Sequence, residues 1–129
     1  KVREGFQELI LQPQSDLPHF RHFLSEIGWE IVREEMIKED GKFYPMMKAV
    51  RNNSGKKTVY TEEEAWFGPL LLEKRHPVLK EYLLREEMIR KKILAGLSGA
   101  ESVSAKTRLA EVKEEMELIH TALKRYESI

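Results

Sequence analysis

The sequence predicts an α/β unit followed by an all-α antiparallel helical hairpin, and three observations predict it. A continuous apolar run, Leu9-Ile10-Leu11, stops at Gln12-Pro13. Apolar residues then recur with a period near two on either side of Asp40-Gly41. Over the last third of the chain they recur every three or four residues, before and after a Gly- and Ser-rich break at residues 96–104. A period of two marks a half-buried strand and a three/four spacing marks one face of a helix.

Taken in order, Leu9-Ile10-Leu11 reads as a strand. Its continuous apolarity suits a central parallel strand covered on both faces, and Pro13, which has no backbone donor, closes it. Ser15 or Asp16 then caps a helix with Pro18 in its first turn, Phe20, Phe23, Leu24 and Ile27 at helical spacing, and Gly28 as its stop. From Trp29 two antiparallel strands follow, joined at Asp40-Gly41 and continuing through Phe43 to Val50. Pro45 cannot donate to a ladder and belongs at an edge or a bulge. Residues 51–57, Arg-Asn-Asn-Ser-Gly-Lys-Lys, are polar and rich in turn formers, so the first unit is expected to end near here.

Thr61 and the three glutamates after it form a helix start, and Ala65 to Leu72 is an apolar hinge candidate interrupted by Gly68-Pro69. Pro77 opens a long helix whose stripe runs through Leu79, Tyr82, Ile89 and Ile93, with Glu86 where an apolar residue is expected. Leu109, Val112, Met116, Ile119, Leu123 and Tyr126 give the last helix a cleaner three/four alternation. Two long helices around a short loop must run back along each other, so residues 59–129 are expected to form a coiled-coil hairpin and residues 1–58 the α/β unit.

Composition narrows the function. The 129 residues carry 22 Lys+Arg against 22 Asp+Glu, so no global field advertises a polyanionic partner and any electrostatic case must be local. No apolar run approaches the roughly 20 residues of a membrane-spanning helix. The absence of cysteine excludes a disulfide framework, a thiolate nucleophile and Cys-based metal sites within this sequence. The opening Lys1-Val2-Arg3-Glu4-Gly5 has no secretory or transit pattern, and a cytoplasmic chain is expected. Beginning at Lys rather than Met, it reads as truncated or partly described.

Candidate chemistry is sparse. His19 and His22 share a helix face but lack a third ligand at a recognised spacing, so solvated or capping histidines are expected and no metal site. His76 and His120 stand alone. No nucleophile elbow, Walker loop or Gly-x-Gly-x-x-Gly occurs. Gln12, Pro13 and Gln14 lie at the mouth of the first strand, where ligands of open α/β sheets bind and where side-chain amides can meet a base edge; the alternative is a turn with two solvated amides. Lys42, Phe43 and Tyr44 set a cation beside two rings that can meet a phosphate and a base, although successive strand residues face opposite ways and one ring is expected to pack inward.

Charge is uneven. From Lys74 onward there are twelve basic and nine acidic residues, +3, which leaves −3 for the preceding part. Lys74, Arg75, Lys80, Arg85, Arg90, Lys91 and Lys92 concentrate the excess as a candidate phosphate-binding ridge, against a solvated face paired with Glu81, Glu86 and Glu87.

The string Glu8-Leu9-Ile10-Leu11-Gln12-Pro13, the helix after it, Gly28-Trp29, Glu39-Asp40-Gly41-Lys42-Phe43-Tyr44 and Phe67-Gly68-Pro69-Leu70-Leu71 ahead of a helical hairpin resemble, in order and spacing, the C-terminal part of the bacterial tRNA (adenine-22-N1)-methyltransferase family, TrmK. The resemblance covers nearly the whole chain. It implies the C-terminal portion of a Rossmann-like class I methyltransferase domain, comprising a late parallel strand, a helix and the closing antiparallel pair, followed by a coiled-coil domain. It further implies S-adenosylmethionine-dependent methylation of adenine N1 in the D-arm of tRNA. The family's Asp-x-Gly-Ser-Asp-His and Gly-Met-Gly-Gly segments are absent, so the S-adenosylmethionine-binding half is expected to be missing and this segment alone inactive. Carried over by position, Gln12 and Pro13 line the substrate side, Lys42 and Tyr44 form its rim, and the basic hairpin grips tRNA. Gln14 stands where the family commonly has Asn, which leaves that position's role open. The competing reading is a non-enzymatic helical interaction module; an unrelated methyltransferase ranks third. The sequence does not fix the oligomeric state, and a monomer is compatible with it.

Overall fold

A computed structural model describes residues 8–11, 16–52 and 57–127. Its elements are β1 (Glu8–Leu11), α1 (Leu17–Glu26), β2 (Trp29–Glu39), β3 (Lys42–Arg51), α2 (Glu62–Phe67), α3 (Pro69–Glu73), α4 (Pro77–Leu97) and α5 (Val103–Lys124). They fall into two compact units, residues 1–79 and 80–129. The boundary therefore lies after Leu79 and not near residue 58: Ala65, Phe67, Leu71 and Leu72 are buried in the first unit, so α2 and α3 belong to the sheet and not to the hairpin.

The sheet has the order β1-β3-β2. β1 pairs antiparallel with β3, Leu11 opposite Met47, and among the described residues it has no parallel partner. Ile10 is 79% exposed, so no described residue covers it. An apolar run of three states that a strand is buried somewhere; it carries no information on strand direction or on where the partners lie. The β2–β3 turn is the expected one: Asp40 and Gly41 have φ of 52° and 75°, the two positive angles that a tight hairpin turn demands. Among the described residues β3 is flanked on both sides where β1 covers it, opposite Met47 to Val50. Pro45 lies beyond that stretch, opposite Met36 of β2, and on its other side meets no strand among the described residues.

α1 starts at Asp16, whose carboxylate accepts the His19 N–H at 3.3 Å. Its buried face is Arg21, Leu24 and Ser25, with Leu17 and Phe20 packed alongside; Phe23 and Ile27 are 50% and 46% exposed. The helix is thus rotated from the expected apolar stripe, because Arg21 takes a core position. Leu24, Trp29, Ile31, Met47, Ala49, Tyr60 and Ala65 form one cluster between helix and sheet. Burial pushes the Tyr60 hydroxyl above its ordinary pKa. α2 starts after Thr61, as the sequence predicts, and Thr61 and Glu64 close a reciprocal capping box there.

In the second unit Arg90 of α4 donates to Glu115 of α5 at 3.0 Å, and Glu87 meets His120 at 2.9 Å. The numbers descend on one helix as they rise on the other, so α4 and α5 run in opposite directions. Leu83, Val112, Met116, Ile119 and Ala122 are buried. The α5 stripe matches its prediction. On α4 the stripe differs: Ile89 is 38% exposed, whereas Arg90 and Glu86 are mostly buried and hydrogen bonded to each other. A polar cluster therefore sits where an apolar position was anticipated.

Candidate functional site

The positions singled out from sequence separate into three groups. Gln12, Pro13 and Gln14 lie outside the described residues. Lys42 and Tyr44 are on β3 and, two residues apart, share one face of the sheet. Phe43 points to the other face, where Lys38 lies over its ring at 5.6 Å. Lys42 is exposed opposite Glu39, and Tyr44 is half-buried opposite Ile37. The register fixes their location: β1 ends with Leu11 against Met47, and Tyr44 lies three residues further along β3, roughly 10 Å past the carboxyl end of β1 at strand rise. A cation and a ring therefore stand on the side toward which β1 delivers the chain.

The seven basic positions divide by environment. Lys74 and Arg75 belong to the first unit, Lys80 to Lys92 to the second. Lys74 donates to the Glu34 backbone carbonyl at 2.8 Å and to the Glu35 carboxylate at 2.9 Å. Arg75 is exposed with φ 48°. Lys80, Arg85, Lys91 and Lys92 are exposed on α4, with Lys91 4.0 Å from Glu87. Arg90 departs from the ridge: its side chain is 15% exposed and held by Glu86 at 2.6 Å and Glu115 at 3.0 Å. Burial opposes its charge, but the two carboxylates more than offset this and hold the guanidinium above its usual pKa.

Sequence reading missed the strongest polar constellation of the first unit. Arg21 and Glu34 are each 1% exposed. The Arg21 Nε and Nη2 reach Glu34 Oε2 at 3.1 and 3.0 Å, and Nη1 donates to the Ala65 carbonyl at 2.7 Å. Glu34 Oε1 accepts the Leu70 N–H at 2.8 Å, at the start of α3. One ion pair thus ties α1, β2, α2 and α3 together. It requires Gly68, where a Cβ would stand 2.8 Å from Glu34 Oε1 and 2.9 Å from Arg21 Nη2. It also requires the bulge between Ile31 and Arg33. Trp29 and Ile31 face the core, and without the extra residue Glu34 would point the opposite way. The available signal was Gly68-Pro69 beside an arginine among Phe20 and Leu24. Beside this pair, Glu35 binds Lys74 and, at 3.1 Å, His76. The Lys74 hydrogen bond, reinforced by His76 against the cost of burial, lowers the Glu35 pKa.

Among the described residues no three His, Asp or Glu side chains gather as a metal site would require, and no helix is long and apolar enough to cross a membrane. The constellation at Arg21 and Glu34 is an internal brace. Among the described residues singled out from sequence, Lys42 and the α4 residues Lys80, Arg85, Lys91 and Lys92 are exposed and Tyr44 is half-buried.

Comparison with known proteins adds family information. A family model described as tRNA (adenine(22)-N(1))-methyltransferase matches residues 3–121. A Mycoplasma pneumoniae protein named "Putative tRNA methyltransferase" is 35% identical over 66 residues, which is 51% of this chain and 30% of that protein. A Streptococcus agalactiae structure described as belonging to the NADB-Rossmann superfamily superposes with a TM-score of 0.77 at 25% identity, over 91% of this chain and 48% of that one. TrmK of M. capricolum, solved with the cofactor product S-adenosyl-homocysteine, superposes with a TM-score of 0.73 at 18% identity, over 92% and 50% of the two chains. The chain spans about a third of the length of the curated relatives it matches and about half that of the solved structures.

Proposed function

The chain belongs to the tRNA (adenine(22)-N(1))-methyltransferase family, and from this premise we propose that it supplies the substrate-side edge and the RNA-gripping hairpin of an enzyme that methylates adenine N1 in the D-arm of tRNA. The observation that carries the reading is the family match over residues 3–121. The position of Lys42 and Tyr44 past the carboxyl end of β1 supports it, since open α/β sheets bind ligands there.

S-adenosylmethionine would supply an electrophilic methyl group. The chain has no glycine-rich loop of the Gly-x-Gly kind, and in this reading the cofactor is held mainly by residues outside this sequence. What these residues offer is substrate handling. The Tyr44 ring is a stacking surface for a base, and the exposed Lys42 ammonium is a partner for a neighbouring phosphate. Gln12, Pro13 and Gln14 complete the proposed substrate side. Orientation is the main catalytic demand, because N1 must attack in line with the bond that the methyl leaves. On the hairpin, a coiled coil in this reading, Lys80, Arg85, Lys91 and Lys92 contact phosphates, with Lys74 and Arg75 preceding them in sequence. Arg90 is withdrawn from that role by Glu86 and Glu115. A cytoplasmic location accords with a tRNA substrate.

The test has two arms. The chain joined to a cofactor-binding half should transfer labelled methyl from S-adenosylmethionine to tRNA and create a reverse-transcription stop, because a methyl on N1 blocks the base's pairing edge. No transfer where both ligands bind overturns the reading. The chain alone should bind tRNA with a salt dependence that becomes shallower by about one to two units of log-log slope when Lys91 and Lys92 are replaced by Ala. Salt-insensitive self-association in place of RNA binding would favour a helical interaction module.

A further inference from the structure

The start of α4 is held by a histidine ring, and both ring nitrogens are in use. Pro77 is the first residue of α4 and has no N–H, so the first free backbone donor of the helix is that of Val78. It donates to His76 Nδ1 at 3.1 Å. The other nitrogen, Nε2, lies 3.1 Å from Glu35 Oε1. Because Nδ1 accepts, the neutral ring carries its hydrogen on Nε2 and donates it to Glu35. The ring is mostly buried, with a side-chain exposure of 13%.

From this arrangement we propose that His76 is a proton-operated cap: neutral, it closes the first turn of α4, and protonated, it gives up the cap and keeps its ion pair with Glu35. The proton that enters binds Nδ1, the atom that now accepts. Two N–H groups then face each other at 3.1 Å, so the ring must turn away from Val78 or the first turn must open. Charged groups near the ring include the Glu35 carboxylate at 3.1 Å and the Lys74 ammonium, which shares that carboxylate at 2.9 Å. Glu35 faces the ring from β2; Lys74 and Arg75 precede it in the turn after α3. The same ion pair therefore retains the ring as the helix loses its cap, and the change is local and reversible. The cap lies within the first unit, immediately ahead of the boundary after Leu79.

The experiment follows the His76 ring nitrogens and the Val78 amide by NMR in the full 129-residue chain, from pH 8 to pH 5.5, the interval in which histidines commonly change charge. Val78 exchange is corrected for its intrinsic pH dependence. Protection at Val78 should fall about fivefold in step with ring protonation, the size of losing one helix cap. In His76→Asn, whose side-chain oxygen caps without titrating, protection should be equal at the two pH values. Unchanged Val78 protection across the ring's titration, or a ring that remains neutral at pH 5.5, overturns the proposal.

Discussion

Replacing Gly68 by Ala should remove most of the stability of the first unit. The added Cβ would lie 2.8 Å from Glu34 Oε1, 2.9 Å from Glu34 Oε2 and 2.9 Å from Arg21 Nη2, distances that real Cβ contacts essentially never reach. These three atoms are not the free ends of surface chains. Arg21 and Glu34 are each 1% exposed, and their remaining bonds to Ala65 and Leu70 leave them nowhere to move without losing a partner. Gly68 also has φ 98°, which costs a side chain about 1–3 kcal/mol. Parting a buried ion pair costs roughly 3–5 kcal/mol, because each charge is left without compensation in a medium that solvates it poorly. The combined loss of about 4–8 kcal/mol is comparable to the entire stability of an ordinary domain, about 5–15 kcal/mol. Gly41 provides the control: its φ is 75° but nothing lies within 4 Å of the place a Cβ would take, so Gly41→Ala should show the backbone cost alone, about 1 kcal/mol. Urea unfolding followed by the fluorescence of Trp29 and Trp66, both in this unit, measures the two variants side by side. Equal midpoint shifts for Gly68→Ala and Gly41→Ala would refute the argument that the brace depends on a missing Cβ.

Two further outcomes follow from the other polar clusters. The folded-state pKa of Glu35 is lowered, chiefly by Lys74, so its contribution is present above the unfolded carboxylate pKa of about 4.3 and is lost as pH falls through the lower folded value; Glu35→Gln should flatten the acid limb of a melting-temperature profile between pH 6 and 2, and a profile identical to that of the unaltered chain would discount the contact. Arg90→Met should destabilise the second unit by about 1–3 kcal/mol by leaving Glu86 and Glu115 without their shared donor; a tRNA affinity that changes while hairpin stability does not would instead return Arg90 to the binding surface.

How much of this was legible in the sequence depends on whether a feature is written locally. The Asp40-Gly41 turn, the helix start at Thr61 and the α5 stripe are set by a few neighbouring residues, and each is found as read. The pairing of β1 with β3 is a property of partners distant in the chain, and three apolar residues cannot encode it. Glu34 is the instructive failure. Alternation counted forward from Trp29 and Ile31 puts residue 34 on the solvent side, which agrees with its charge, so pattern and chemistry concur on the wrong face. The extra residue between Ile31 and Arg33 reverses the parity, and the carboxylate turns inward to meet Arg21 and the first N–H groups of α3. Nothing near Val32 announces a bulge. Its trace is indirect: Met36 is apolar and buried five residues after Ile31, an odd interval that strict alternation forbids. The same reasoning covers α4 in part: the three/four stripe already passes through Glu86, but that Arg90 joins it at the seam becomes visible only once Glu115 arrives from the opposite helix. Charges that look like surface in one segment are interior whenever a second segment brings the opposite sign, and so the Arg21, Glu34 and Arg90 environments had to be read from packing, whereas Lys42, Lys91 and Lys92 are exposed, as their charge alone suggests.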